Sequence, residues 1–594
     1  MNKTIQQRLE ALRQQMKKNA IDAFIIPSND PHMSEYPSEH WKCREWISGF
    51  DGSAGTVVVT ADNAGLWTDS RYFLQADIQL NGTGISLFKE GLPETPSIED
   101  FLIQTLPEGA TVAVDGNLFS VASTQMLRKR FSTRNISLNT HFFPYCEIWE
   151  NRPLQPKDPM FVYPEKFAGE SALSKRERIL KALAKDGANA LLMTTLDDIA
   201  WALNIRGTDV ECNPVTTAYA FLSDKENIIF IDKDKLTDEA RAYFDCNNIL
   251  IASYDKVDDF LKNLSGNYCL LIDPDKVSDY LFSSINPACK VIQATAPVAL
   301  LKAVKNSTEI AGFHDAMKRD GVALVRFFRW LEKAIPTGTV TEKTVAEKLI
   351  EFRSQQDLFV GESFSTIAGF RGHGAIVHYH VTDESNVTIT NNGFLLIDSG
   401  AQYFDGTTDI TRTIILGKPT EEEKKHFTLV LKGHINLGMS CFPQGTRGDQ
   451  LDAIARRYLW DLHLNYLHGT GHGIGHFLSV HEGPQNIRLN HNPTTLMPGM
   501  VTSNEPGLYI TDKYGIRHEN LVLTVEDGES EFGKFYRFET LTLCPFDQTG
   551  IDASLLSPKE IEWLNKYHQT VYEKLAPALN EEEKVWLAEK TKAI

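Results

Sequence analysis

Apolar residues recur at helical spacing where the chain begins. Ile5, Leu9, Leu12 and Met16 interrupt a run rich in Gln, Arg and Lys, which predicts an amphipathic helix. Asp22-Ala23-Phe24-Ile25-Ile26-Pro27 then reads as a buried strand ended by proline. After Trp46-Ile47-Ser48-Gly49-Phe50, the apolar run Thr56–Thr60, a turn at Asp62-Asn63 and the run Gly65–Thr68 predict a hairpin. The same order returns near Arg178. Ile179, Leu180 and Leu183 are spaced for a helix, and Asn189-Ala190-Leu191-Leu192-Met193 reads as a strand. Trp201 follows, then Ala218–Leu222, a polar turn and Ile228–Ile231 form a second hairpin. Matching landmarks, Trp46 and Trp201 among them, are offset by roughly 155–167 residues, as a duplicated domain with small insertions would give. Two unrelated α/β domains built from common elements are the alternative.

Between the copies, Asn151-Arg152-Pro153-Leu154-Gln155-Pro156-Lys157-Asp158-Pro159 has the proline density of a linker. Past Ala296-Pro297 a long helix is expected, with Ser307 as its N-cap and Ala323, Leu324, Phe327, Phe328 and Leu331 as its apolar stripe. Another helical region spans Thr341 to Gln355, and the tail from Ser557 alternates charged and apolar residues like packed helices. The fold expected is α/β (α+β): two related N-terminal α/β domains, 1–155 and 156–300, then a third domain, 301–545, and a helical extension, 546–594.

Composition narrows the class. A chain of 594 residues is too long for one hydrophobic core. With 60 basic and 78 acidic side chains the net charge is −18, which argues against a nucleic-acid or anionic-membrane surface. Met1 to Lys18 has no apolar h-region, so no secretory signal is expected, and no run approaches the ~20 apolar residues of a membrane span. The eight cysteines are scattered without a CxxC pair, as buried thiols would be. A cytoplasmic location follows as the default.

The candidate chemistry lies in the last two-fifths of the chain. Five of seventeen histidines, His463, His468, His472, His476 and His481, fall among glycines between residues 463 and 481. An apolar strand ending near Asp398, a turn at Asp405-Gly406 and a Thr-rich return strand carrying Asp409 would set two carboxylates side by side. Glu505 follows Thr502-Ser503-Asn504, and Glu519 opens a strand after Arg517-His518. His378 reads as the end of a short apolar strand in Gly372–His380. Each residue alone has an ordinary structural reading. Together Asp398, Asp409, His472, Glu505 and Glu519 offer four carboxylates and one imidazole without a thiolate, a donor set suited to hard divalent ions such as Mn²⁺. Four carboxylates exceed one ion's needs, whereas two ions about 3.5–4 Å apart need bridging carboxylates. There is no G-x-S-x-G elbow and no HExxH.

Those segments, with Trp67-Thr68-Asp69-Ser70-Arg71-Tyr72 near the start and Val480-His481-Glu482-Gly483-Pro484, resemble the Xaa-Pro aminopeptidase (aminopeptidase P) family over essentially the whole chain. The resemblance is to its long, three-domain cytosolic form, and implies two creatinase-like domains followed by a pita-bread metallopeptidase domain. It implies that Asp398 and Asp409 hold one Mn²⁺ and that Asp409, His472, Glu505 and Glu519 hold another, Asp409 and Glu519 bridging. It also implies that His378 and His481 contact substrate and the developing charge, that Arg71 and Arg517 bind substrate, and that the protein is a homodimer. The activity implied is release of the N-terminal residue from peptides with proline second. Two metals would acidify a shared water whose hydroxide attacks the scissile carbonyl, with Glu505 carrying the proton. A prolidase restricted to Xaa-Pro dipeptides and a non-catalytic pita-bread binding module are the alternatives. His380, His476 and His518 depart from the family pattern without removing a ligand.

Overall fold

The computed structural model describes residues 2–594, which divide into two compact units: Met1–Glu165 with Glu170–Val298, and Lys166–Gly169 with Ala299–Ile594. The opening helix spans Asn2–Lys18, with Ile5, Leu9, Leu12 and Met16 all buried. The first unit contains two six-stranded sheets. One is built from β1 (Ala23–Ile26), β2 (Thr56–Thr60), β3 (Ala64–Thr68), β4 (Ser86–Lys89), β5 (Thr111–Val114) and β6 (Ser137–Asn139), in the order β4-β3-β2-β1-β5-β6. The other is built from β7 (Ala190–Met193), β8 (Ala218–Ser223), β9 (Asn227–Ile231), β10 (Leu250–Ala252), β11 (Cys269–Ile272) and β12 (Lys290–Gln293), in the order β10-β9-β8-β7-β11-β12. The two orders are the same once renumbered. So are the directions: β2 runs antiparallel to both β1 and β3, as β8 does to β7 and β9, and the remaining pairings in both sheets are parallel. Trp46 and Trp201 sit in corresponding short helices, Cys43–Ser48 and Leu196–Ala202. Agreement in order and direction at every strand favours duplication over two unrelated domains.

Period-2 alternation in these strands serves two apolar faces rather than one. Phe24, Ile26, Val57 and Val59 enter the cluster that holds Leu9, Leu12 and Phe50, while Ala23, Ile25 and Val58 enter the one that holds Leu102, Val112 and Phe131. Helices cover both sides, so the strands read as unbroken apolar runs. At about 1.5–3 kcal/mol per fully buried large side chain, this burial is the main force holding the unit together.

The second unit opens with a helix over Ser307–Ala334, whose N-cap is Asn306, one residue before the expected Ser307. The Asn306 side chain accepts from the amides of Thr308 and Glu309, and the Glu309 carboxylate accepts from Asn306 N–H, a reciprocal box that serine one place later cannot make. Ala323, Leu324, Phe327, Phe328 and Leu331 are buried as expected. A short sheet follows, β13 (Ile367–Phe370), β14 (Gly393–Ser399) and β15 (Ile410–Leu416), in that order and antiparallel. A larger sheet has the order β16-β23-β22-β19-β17-β18, from β16 (Cys441–Pro443), β17 (Gly471–Gly473), β18 (Glu482–Ile487), β19 (Val501–Asn504), β22 (Asn520–Ser530) and β23 (Gly533–Thr540). Between β19 and β22 lies a hairpin of β20 (Gly507–Ile510) and β21 (Tyr514–Arg517). The tail forms helices over Pro558–Leu575 and Glu581–Lys590, and their Leu564, Tyr567, Val571, Leu575 and Leu587 join the unit's largest core.

Three local expectations change. Asp409 lies one residue before the return strand β15, because the tip between β14 and β15 folds into a small hairpin of its own over Ala401–Tyr403 and Gly406–Thr407. Glu519 likewise precedes β22 by one residue. His378 ends no strand: Arg371–Ala375 is a 3₁₀ turn, continued by bonds from Ile376 N to His373 O and from Tyr379 N to Ile376 O. All eight cysteines are free. Among the described residues no helix is long and apolar enough to cross a membrane.

Candidate metal centre

Five side chains named from the sequence converge where the two sheets of the second unit meet. β14 delivers Asp398, the tip hairpin delivers Asp409, β17 carries His472, and Glu505 and Glu519 sit at the ends of β19 and β21–β22. Backbone bonds fix these ends. Glu505 N–H donates to Thr470 O at 2.8 Å, and Glu519 N–H donates to Thr411 O at 3.1 Å. His472 can lie this close to β19 because its neighbour is glycine: a Cβ on Gly471 would stand 2.0 Å from Ser503 O.

His472 Nε2 lies 3.5 Å from Asp409 Oδ2 and 3.4 Å from Glu505 Oε1. Asp409, His472 and Glu519 each bring a ligand atom within 4.8 Å of the others'. Thr411 Oγ1 donates to Glu519 Oε2 at 2.7 Å, and Ser503 Oγ donates to Glu505 Oε1 at 3.1 Å while accepting from His472 N–H. Arg517 Nη2 pairs with Asp398 Oδ2 at 2.5 Å. The His481 ring stands 4.3 Å from that of His472, centroid to centroid.

The electrostatics are severe. Burial, then Glu519, Asp398 and Glu505, push the Asp409 carboxyl well above its usual range. Burial, with Asp398 and Glu505 behind it, does the same to Glu519, and burial lifts Glu505 to about 7 against the pull of Arg517. Carboxylates this crowded and dry cannot all stay ionised unless cations lie among them. The remaining valences fit that requirement: Asp398 Oδ1 and Glu519 Oε1 are buried and accept no hydrogen bond. A buried acceptor without a donor costs about 1–3 kcal/mol, so oxygens left open in this way are suited to metal ligation. An oxygen-rich set with one imidazole and no thiolate is the chemistry of hard divalent ions.

Comparison with known proteins agrees with this geometry. Residues 311–526 match metallopeptidase family M24, and 534–594 match the C-terminal region of peptidase M24. Residues 8–140 and 151–309 each match a creatinase/prolidase N-terminal domain. A probable Xaa-Pro aminopeptidase P from Coprinopsis cinerea is 42% identical over 99% of this chain and 98% of its own length. The chain belongs to the aminopeptidase P family. It is therefore a metallopeptidase, a hydrolase, and its second unit has the pita-bread fold expected of the family. Aminopeptidase P2 of Arabidopsis thaliana is 40% identical over 94% of the chain and 84% of the relative. A crystal structure of the X-prolyl aminopeptidase of Caenorhabditis elegans, described as a cytosolic enzyme with a di-nuclear active site, superposes with a TM-score of 0.96 at 36% identity, covering all of both chains. An Xaa-Pro dipeptidase from Bacillus anthracis, 24% identical with a TM-score of 0.51 over 64% of this chain, shares the fold alone.

The other sequence-named residues are placed as follows. His378 is half-buried, next to Val377, whose carbonyl accepts from Arg517 Nη2 at 3.4 Å. Arg517 is nearly fully buried, and its nitrogens also reach Thr411 Oγ1 and the Tyr509 hydroxyl. Arg71 belongs to the first unit and forms a two-pronged pair with Asp69 at 2.9 and 2.7 Å. His468 supports its own loop, with Nδ1 2.7 Å from Gly469 O and Nε2 2.8 Å from the Tyr509 hydroxyl. His476 and His518 are buried, and His380 is exposed.

Sequence reasoning missed Thr411, Ser503, Tyr509 and Arg412. Arg412 is buried behind the cluster and donates to the carbonyls of Thr411, Glu519, Cys544 and Pro545, to Asn520 Oδ1 and to the Tyr567 hydroxyl. The Thr-rich return strand was the available signal for Thr411.

Proposed function

We propose that this chain is a metal-dependent aminopeptidase that releases the N-terminal residue from peptides with proline in second position. The observation that carries the reading is the buried cluster of Asp398, Asp409, His472, Glu505 and Glu519 with two open carboxylate oxygens, in a chain that aligns end to end with Xaa-Pro aminopeptidases. Asp398 and Asp409 would hold one divalent ion, and Asp409, His472, Glu505 and Glu519 a second. Mn²⁺ is the ion this oxygen-rich set favours. When bound, the ions supply Lewis acidity to the scissile carbonyl and to the attacking water.

The chain's own groups do the rest. Glu505, which accepts from Ser503 and lies beside His472, is the proton carrier, as ligand and base. His378 and His481 face substrate and donate to the oxygen on which negative charge develops. Arg517 spends its nitrogens on Asp398, Thr411, Tyr509 and Val377, so its part in substrate binding works through holding Asp398 and the turn beside His378. Arg71 is a further substrate-binding residue. The domains run 1–155, 156–300, 301–545 and 546–594, and the enzyme acts as a cytoplasmic homodimer. The cytosolic description of the worm relative supports the location.

Two assays test this. The purified protein freed of metal by chelation should be inactive and should regain release of arginine from Arg-Pro-Pro when Mn²⁺ is added. Activity on Gly-Pro with none on Arg-Pro-Pro would favour the prolidase reading. Turnover that survives complete metal removal would sink the mechanism.

A further inference from the structure

Glu342 is the first residue of the Glu342–Ser354 helix, and its side chain is fully buried. It turns away from its own helix and gathers three donors from one short stretch. Phe370 N–H donates to Oε1 at 2.7 Å, His373 Nδ1 lies 2.9 and 3.0 Å from the two oxygens, and the Tyr379 hydroxyl donates to Oε2 at 3.0 Å. A carboxylate removed from water this completely is costly unless it is well satisfied, so the three donors and Glu342 hold one another in place. The His373 and Tyr379 rings stack at 4.6 Å with 25° between their planes, and the Tyr379 hydroxyl oxygen lies 2.9 Å from Ser385 Oγ.

The other side of the turn is fastened independently. A Cβ on Gly515 would stand 1.7 Å from Gly374 O, so the turn lies directly on strand β21. Arg517 at the end of that strand reaches Val377 O. Residues 370, 373 and 379 are therefore tied to Glu342 and residues 374 and 377 to β21, with His378 between the two sets of ties.

We propose that Glu342 is a positioning residue for His378, aiming that imidazole through the turn 371–379. The inference rests on the reading that His378 faces substrate. Glu342 touches neither substrate nor the metal-binding residues, and its effect passes through a backbone pinned at both ends.

A double-mutant cycle on the full-length Mn²⁺-loaded enzyme tests it, with Glu342→Gln and His378→Ala singly and together, assayed on Arg-Pro-Pro. Misaiming a catalytic group by a fraction of an ångström costs about 10-fold or more. Glu342→Gln should thus lower kcat/KM about 10-fold in the native background and less than about 2-fold beside His378→Ala. Metal content should stay at the native value. Equal losses in both backgrounds, no loss in the native one, or loss of bound metal would each overturn the inference while leaving the substrate role of His378 standing. A silent His378→Ala would overturn that role and the inference with it. Should Glu342→Gln fail to fold, Tyr379→Phe removes one donor to Glu342 and keeps the ring stacked on His373. The same cycle then applies, with an expected loss of about 3-fold that disappears beside His378→Ala.

Discussion

The two units use buried strands in opposite ways. In the first, strands such as β1 and β2 put apolar side chains on both faces, and the interior contains what folding favours most. In the second, β14, β17, β19 and the tip hairpin deliver three carboxylates and an imidazole to a buried point, where a fourth carboxylate meets them from the end of β21. Local stability is given up there for chemistry, and the rest of the unit offsets the cost. The lesson is that a strand's burial says little about its role. What separates the two cases is whether the side chains at the strand end are satisfied by the protein itself.

The sharpest way to break that contrast is Asp409→Ala. It should cut kcat/KM by about 1,000-fold or more, because a residue shared within one catalytic constellation is not replaceable by its neighbours. The first unit should keep its fold, read by limited proteolysis and circular dichroism. Appreciable turnover would mean the cluster is not the centre. The converse is Phe24→Ala in the first unit, where Phe24 is fully buried. A cavity of that size should cost about 3–5 kcal/mol in the denaturant midpoint of the first unit's transition, with the metal content of the second unit unchanged. Loss of metal alongside it would show that the two units are not independent in stability.

A smaller effect concerns pH. Burial, then Arg412, holds the His568 imidazole down to about 4. The unfolded chain takes up this proton near pH 6.5 and the folded one near 4, so the associated stability is present above 6.5 and lost as pH falls towards 4. At pH 5 the loss should be about 2 kcal/mol relative to pH 7, and urea midpoints of His568→Gln should show a correspondingly flatter dependence. A native-like slope in that variant would place the titration elsewhere.

Much of this was legible in the sequence for reasons that also explain the gaps. The duplicated domains declared themselves because short apolar runs and helical spacing are local signals, and the same signals repeat in the same order at a nearly constant offset. The five clustered side chains stood out because each lies beside glycine or a strand end, where a polar or charged group is out of place in a core. The turn that presents His378 was mistaken for a strand because Ala375-Ile376-Val377 is apolar, while the group that holds it as a turn, Glu342, lies some thirty residues earlier at an ordinary helix start. Asn306 took the cap from Ser307 because only the former has Glu309 three residues on. Arg412 could not be found at all, since its partners come from β15, the 519–520 corner, the 544–545 loop and the last long helix.

That arginine has a consequence for how the molecule opens. One guanidinium joins the carbonyl of Glu519 to the hydroxyl of Tyr567, so the Pro558–Leu575 helix and the corner carrying the innermost carboxylate share a hydrogen-bond donor. Proteins open in cooperative units whose members lose amide protection together. The amides around Glu519 and those of the Pro558–Leu575 helix should gain protection together when metal binds, although the helix contributes no ligand. A tail that looks like an appendage would then report, in its exchange rates, on whether the centre is filled.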